Sequence, residues 1–227
     1  VISDSSSTCT VIASGREIGG LIGNTNNQTQ VIRSFATGEV SGNGEWVGGL
    51  VGIVCNSSVI EQSYATGNVR NGNSLTGGLV GHLSTNAKIN DCYATGDVIG
   101  AGGVGGLVGL MEYGTVSNCY SNGSSTGYYA VGGLVGARNS STVNNSYWDV
   151  ITSGLTSSSG GTGLITSQMV NAVSYPGWNF VNIWNINAGE SYPYFIWQGS
   201  ANIPYAPGVS PNIPPNAVND SKTVDRS

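Results

Sequence analysis

Apolar and small residues recur along this chain in two short boxes separated by polar stretches. The first box reads IGGLIG at 18–23, VGGLVG at 47–52, TGGLVG at 76–81, VGGLVG at 104–109 and VGGLVG at 131–136. Its leading glycines, Gly19, Gly48, Gly77, Gly105 and Gly132, fall 29, 29, 28 and 27 residues apart. A fixed period in this range marks a solenoid or array. The second box reads SFATGEV at 34–40, SYATGNV at 63–69, CYATGDV at 92–98, CYSNG at 119–123 and SYWDV at 146–150. Between the boxes stands one β-branched residue: Val31, Ile60, Ile89, Val116 or Val143.

These runs are short, rich in β-branched and aromatic residues, and bounded by Gly and Asn, so they predict strands. Inserts such as GNGE and RNGN predict turns in which Gly and Asn supply positive φ. One repeat cannot bury its apolar stripe alone. Stacking repeats so that Leu50 lies over Leu79 and Leu107 gives a continuous core, at about 4.8 Å per layer. The fold class is therefore all-β, a parallel β-solenoid of about five repeats, with a right-handed β-helix as the expected form. Leu50 falls on one side of its box and Val47 and Val51 on the other, the pattern of a strand covered on both faces. The glycines admit close packing against the backbone. A phosphate-cradling loop would need GxGxxG or GxxxxGK[ST] opening a helix, and neither occurs.

The aromatic box leaves two orientations open. Cysteine and alanine are commonly buried, so an inward set of Ser63, Ala65, Cys92 and Ala94 would turn Tyr64, Tyr93, Thr66 and Thr95 outward. Phe35, in the same column, argues for rings turned inward. An outward column of Tyr64, Tyr93 and Tyr120 with Thr37, Thr66 and Thr95 would be a candidate ligand-binding strip for sugar rings or another protein. The threonines also resemble the flat arrays of ice-binding solenoids, over only three positions.

The period stops after Asp149. GLTSSSGGTG (154–163) reads as a flexible loop, and TSQMVNAV (166–173) as one short helix with Thr166 as N-cap. WNFVNIWNINAGESYPYFIW (178–197) concentrates three of the five tryptophans and reads as a cap over the open end, where strand edges would otherwise be unpaired. The expected organisation is a repeat solenoid over 1–150, a capping segment over 151–200, and a linker over 201–227. The linker holds the Pro-rich spacer IPYAPGVSPNIPPN, from Ile203 onward, and leads to a further module.

Composition narrows the function classes. Only 8% of the 227 residues are charged, against roughly 25% in ordinary soluble domains. Net charge is −5 with seven basic residues, which gives no footprint for nucleic acid or for insertion at an anionic membrane. No apolar run is long enough to span a bilayer as a helix. The chain opens at Val1 with no signal-peptide pattern, as expected of a mature fragment or excised piece. Scarce Lys and abundant Asn, Ser, Thr and Gly suit an extracellular, cell-surface protein. The sequons at Asn27, Asn56 and Asn139 are expected by chance in so Asn- and Ser-rich a chain.

Four cysteines, Cys9, Cys55, Cys92 and Cys119, lack the spacing of a C-x-x-C zinc or redox site. Cys92 and Cys119 occupy one place in successive repeats and are candidates either for a disulfide or for two buried thiols. No cofactor and no metal site is expected, since Gly-Asn turns without a dense Asp pattern do not hold calcium. Glycoside hydrolysis needs two carboxylates at suitable separation. Glu39 and Asp97 share a column about 10 Å apart, with Asn68 between them, and a solvated turn explains them as well. Lys88, Arg33, Arg70 and Arg138 are scattered, and His82, the only histidine, reads as solvated in a polar loop. The chain is expected not to be an enzyme.

The two boxes resemble the GLUG motif repeat, which joins a GGLVG core to a CYATG-like element, in five copies over residues 15–150. The ending SYWDV…GGTGLITSQM…GWNF…WNI…GESYPYFIW is similar to the segment that closes such arrays, up to about residue 197. The resemblance implies a large bacterial or archaeal surface protein, such as filamentous-haemagglutinin-like adhesins or immunoglobulin-A-specific metallopeptidases. HExxH, the zinc signature of the latter, is absent. What it implies is a non-catalytic structural or adhesive role as stalk, filament subunit or adhesin, with surface glycans, other surface proteins or copies of itself as partners. The alternative is a carbohydrate-binding or polysaccharide-processing β-helix using a Tyr/Thr face. The tail AVNDSKTV is similar to the start of cadherin- or immunoglobulin-like modules.

Overall fold

The computed structural model describes residues 1–200 and 202–209. Its parallel sheets stack as a β-solenoid of about five turns with a repeat near 29 residues. A full turn is five short strands, as in Thr76–Gly77, Val80–Ser84, Lys88–Asn90, Tyr93–Ala94 and Val98–Ile99. Each pairs in parallel with its equivalents in the turns above and below: Val80 lies between Val51 and Val108, and Ile89 between Ile60 and Val116. Leu50, Leu79 and Leu107 stack as the period requires, all fully buried.

The GGLVG box is a corner rather than one strand covered on both faces. The strand Trp46–Gly48 ends at the glycines, and Val51–Val54 starts a different sheet. The two apolar sets therefore serve two separate cores. Val47 packs with Ile18, Val40, Val69, Val98 and Val104, whereas Leu50 and Val51 pack with Ile60, Ala65 and Cys92. At the waist between these cores the backbones touch. A Cβ on Gly77 would lie 2.8 Å from the Leu107 carbonyl oxygen and from the Gly109 nitrogen. Close backbone approach, not positive φ, is why glycine stands there.

Positive φ is used elsewhere. Arg33, Gln62, Asp91, Asn118 and Asn145 hold φ of 46°, 46°, 49°, 54° and 42° at one corner of successive turns. GNGE and RNGN contain no positive-φ residue, contrary to the sequence expectation. Non-glycine residues tolerate the left-handed region here because the stacked turns on either side fix the backbone.

The last turn is closed by a mimic. Inside the array, the carbonyl of each corner leucine accepts two N–H groups of the preceding turn. Leu134 O takes Leu107 N at 2.9 Å and Val108 N at 3.1 Å. No further corner leucine stacks on Leu134 among the described residues; instead Ser158 Oγ accepts Leu134 N at 3.2 Å and Val135 N at 2.9 Å. The strand Thr162–Leu164 then pairs with Tyr147–Asp149. The loop 154–163 is thus a bonded end cap, not a flexible connection. The expected single helix is two pieces, an α-helix Thr166–Met169 and a 3-10 turn Ala172–Ser174. Thr166 is the first helical residue rather than the N-cap.

Candidate functional site

The candidate strip centres on the sheet holding Phe35–Ala36, Tyr64–Ala65, Tyr93–Ala94, Tyr120–Ser121 and Tyr147–Asp149. Its small residues Ala36, Ala65 and Ala94 face the solenoid core, so the rings of Tyr64, Tyr93 and Tyr120 turn away from it. The register stacks them. Phe35 to Tyr64, Tyr64 to Tyr93 and Tyr93 to Tyr120 have centroids 4.9, 4.8 and 5.1 Å apart, with planes within 2°, 3° and 9°.

Turned away from the core does not mean open to solvent. Tyr64, Tyr93 and Tyr120 are 1%, 0% and 0% exposed. The residues expected to cap the open end instead lie along this sheet as a strap, and the exposed aromatic strip is corrected on that ground. Phe195 meets Tyr93 at 5.4 Å, Trp184 meets Phe195 at 4.4 Å, and Trp197 reaches Phe35 at 6.4 Å. The phenols dock the strap one turn at a time. Tyr120 Oη donates to Pro193 O at 2.7 Å, Tyr93 Oη donates to Gln198 Oε1 at 2.8 Å, and Tyr64 Oη accepts from Asn202 Nδ2 at 3.3 Å. Burial pushes all three phenols above their usual titration range, so they act here as neutral hydrogen-bonding groups.

The strap's own polar tips return to the body. Trp184 Nε1 donates to Asp91 Oδ1 at 3.1 Å and Trp178 Nε1 to Asn145 O at 2.9 Å, both at left-handed corners. Tyr192 Oη donates to Asp149 Oδ2 at 2.7 Å, while Asp149 Oδ1 accepts Ile151 N and Thr152 N at the start of the helix Val150–Ser153. Residues 203–206 are docked as well, since Tyr192 N donates to Pro204 O at 2.9 Å and Ala206 N to Glu190 O at 2.8 Å. The free spacer expected from Ile203 therefore does not begin there, and the expected module start NAVNDSKTVDRS lies outside the described residues.

Thr37, Thr66 and Thr95 form the adjoining column and are half-buried. Strand register adds Thr8, exposed, as a fourth member that the sequence reading missed. Glu39 and Asp97 sit at exposed turns with bonding work of their own. Arg70 Nε lies 3.2 Å from Glu39 Oε1, and Asp97 Oδ1 accepts Ser124 N at 2.9 Å and Ser124 Oγ at 2.7 Å. Cys92 and Cys119 are buried free thiols, which corrects the disulfide alternative. Each Sγ donates to a carbonyl two residues back, Asn90 O and Ser117 O, both at 3.1 Å.

His82 is also corrected. It lies on the strand Val80–Ser84, 8% exposed, against Trp46 at 5.6 Å, with Nε2 3.0 Å from Glu112 Oε2. Burial lowers its pKa against the opposing pull of Glu112.

The repeat finds its counterpart among known families. Residues 72–99 match the GLUG motif, and they make one full turn, Thr76–Gly77 through Val98–Ile99. The turns stacked in register with it fit a GLUG repeat array. No curated protein and no solved structure matches the chain.

Proposed function

We propose that this chain is a non-catalytic structural and adhesive module of an extracellular, cell-surface protein, serving as a rigid stalk segment. The observation that carries the reading is the sealed ladder: the regular aromatic column is spent on holding the chain's own strap. Rod-like stacking and a GLUG turn are compatible with a surface or structural module. The carboxylates support the non-catalytic half, because Glu39, Asp97 and Asp149 each have a bonding partner that explains their position. Scarce charge and abundant Asn, Ser and Thr support the extracellular half.

Antibodies raised against the folded chain should label intact, unpermeabilised cells of the source. Labelling only after lysis would overturn the surface placement. Cleavage of any polysaccharide by the purified chain would overturn the non-catalytic role.

A further inference from the structure

One aromatic ring on the body is held in the opposite manner to the ladder. Tyr129 opens the strand Tyr129–Gly132 and pairs with Gly102 of the turn below. Its ring lies flat on Gly102, where any Cβ would run into the ring carbons. Its hydroxyl reaches a further turn down, to Ser74 Oγ at 2.9 Å. Tyr129 as a residue is nonetheless 61% exposed. Tyr113 and Tyr128 are exposed too, at 60% and 91%, yet among the described residues neither hydroxyl is held. Among the described tyrosines that are exposed, Tyr129 alone is both pinned and presented.

Strand register places Ser74 and Gly102 in one column with Glu45 and Arg16. Arg16 and Glu45 are ion-paired, and the Arg16 guanidinium covers the Trp46 ring at 4.9 Å. Asn73, exposed beside Ser74, has its side-chain oxygen fixed by Ser74 N at 2.9 Å. The surface is thus a flat ring, then a hydroxyl and an amide side by side in one turn, then mutually neutralised charges in the two turns beyond.

We propose that Tyr129 is a platform for an uncharged, β-linked hexopyranose glycan lying along the solenoid axis. The apolar face of such a sugar presents C–H groups that suit the negative face of an aromatic ring. A ring already immobilised loses little entropy on binding. Turns repeat at about 4.8 Å, close to the length of one sugar, so an extended β-1,4-linked chain meets Tyr129, then the shared Asn73 and Ser74 level, then the Glu45 level. An α-1,4-linked glucan curls away from that line. This goes beyond the structural role and is tested on the isolated chain, so it stands or falls apart from cellular placement.

Purified full-length chain is titrated with cellohexaose and, separately, maltohexaose, following the Tyr129 ring resonances by NMR. Cellohexaose is expected to shift them saturably and maltohexaose not. Tyr129→Ala should weaken cellohexaose binding about tenfold while keeping the parent's β-sheet circular dichroism spectrum. Tyr129→Phe, which keeps the ring and loses the Ser74 bond, should bind between the two, and Tyr128→Ala like the parent. No shift with either sugar, equal binding of both, or full binding by Tyr129→Ala overturns the proposal.

Discussion

In the body, Leu50, Leu79, Leu107 and Leu134 occupy one position in successive turns, and each of the first three gives its N–H to the carbonyl of the next. In the strap no contact is repeated: Trp184 bonds Asp91, Trp178 bonds Asn145, and Tyr192 bonds Asp149. A body of this kind is held by neighbour-to-neighbour terms, so it is free to fray from an end. The strap adds what stacking alone lacks. From Asn202 at Tyr64 to Tyr192 at Asp149 it touches successive turns at once, tying their fates together.

The largest effect should come from breaking the waist of the body. Gly77→Ala drives a methyl into the Leu107 carbonyl and the Gly109 amide, which are backbone and cannot swing aside. We expect a loss of about 4 kcal/mol or more by chemical denaturation, the range of rigid steric conflict. A loss below about 1 kcal/mol would mean that the two cores can part without penalty.

Trp184→Ala tests the strap. Trp184 is fully buried between Tyr93, Tyr120, Trp178 and Phe195, so its removal should cost about 3–4 kcal/mol. Its second signature is a lower denaturant m-value or a split transition, because turns released from the strap fray separately. A single, equally steep transition would show that stacking alone supplies the cooperativity. Tyr93→Phe is the milder version. It keeps the stacked ring and removes one buried bond to Gln198, at about 1 kcal/mol. A cost as large as that of Trp184→Ala would place the strap's hold in the phenol rather than in the packing.

The same contrast explains what could be read in advance. Leu79 and Tyr93 recur at a fixed interval, and recurrence reports stacking directly. The small-residue faces of Ala65 and Ala94 were legible for the same reason. The side of the sheet that the tyrosines take stayed open, with small residues arguing for outward rings and Phe35 for inward ones, and what lies over them was unreadable because Trp184, Gln198 and Pro193 follow no period. Phe35 pointed the wrong way because a ring without a hydroxyl also fits on the outer side, where it meets the Trp197 ring of the strap at 6.4 Å. Ser158 was hidden because a side-chain oxygen stands where every other turn uses a leucine carbonyl. His82 sits on a strand between Ile53 and Leu110, a column that lies just past Gly81, the last residue of the recurring first box.

The smallest expected effect compares two titrating groups, one in the body and one beneath the strap. His82 has a lowered pKa through burial, so below about pH 6.5 the unfolded chain binds the proton more readily than the folded one. Stability therefore falls on acidification through that value and levels off once pH passes below the folded pKa. Asp91 runs the other way. Burial raises its pKa, partly offset by the Trp184 hydrogen bond, so the folded chain binds the proton more readily and stability rises as pH falls through the folded pKa. At neutral pH its charge under the strap is consequently a small liability. Asp91→Asn removes that charge while keeping an oxygen for Trp184 Nε1 and a residue type suited to φ of 49°. The next two turns already carry Asn118 and Asn145 at this corner. We expect Asp91→Asn to raise Tm slightly at pH 7 and to lose that gain near pH 3, where the parent carboxyl is protonated. A lower Tm at pH 7 would mean that the charge-assisted bond to Trp184 outweighs the burial of the carboxylate, making the strap's grip on this corner ionic.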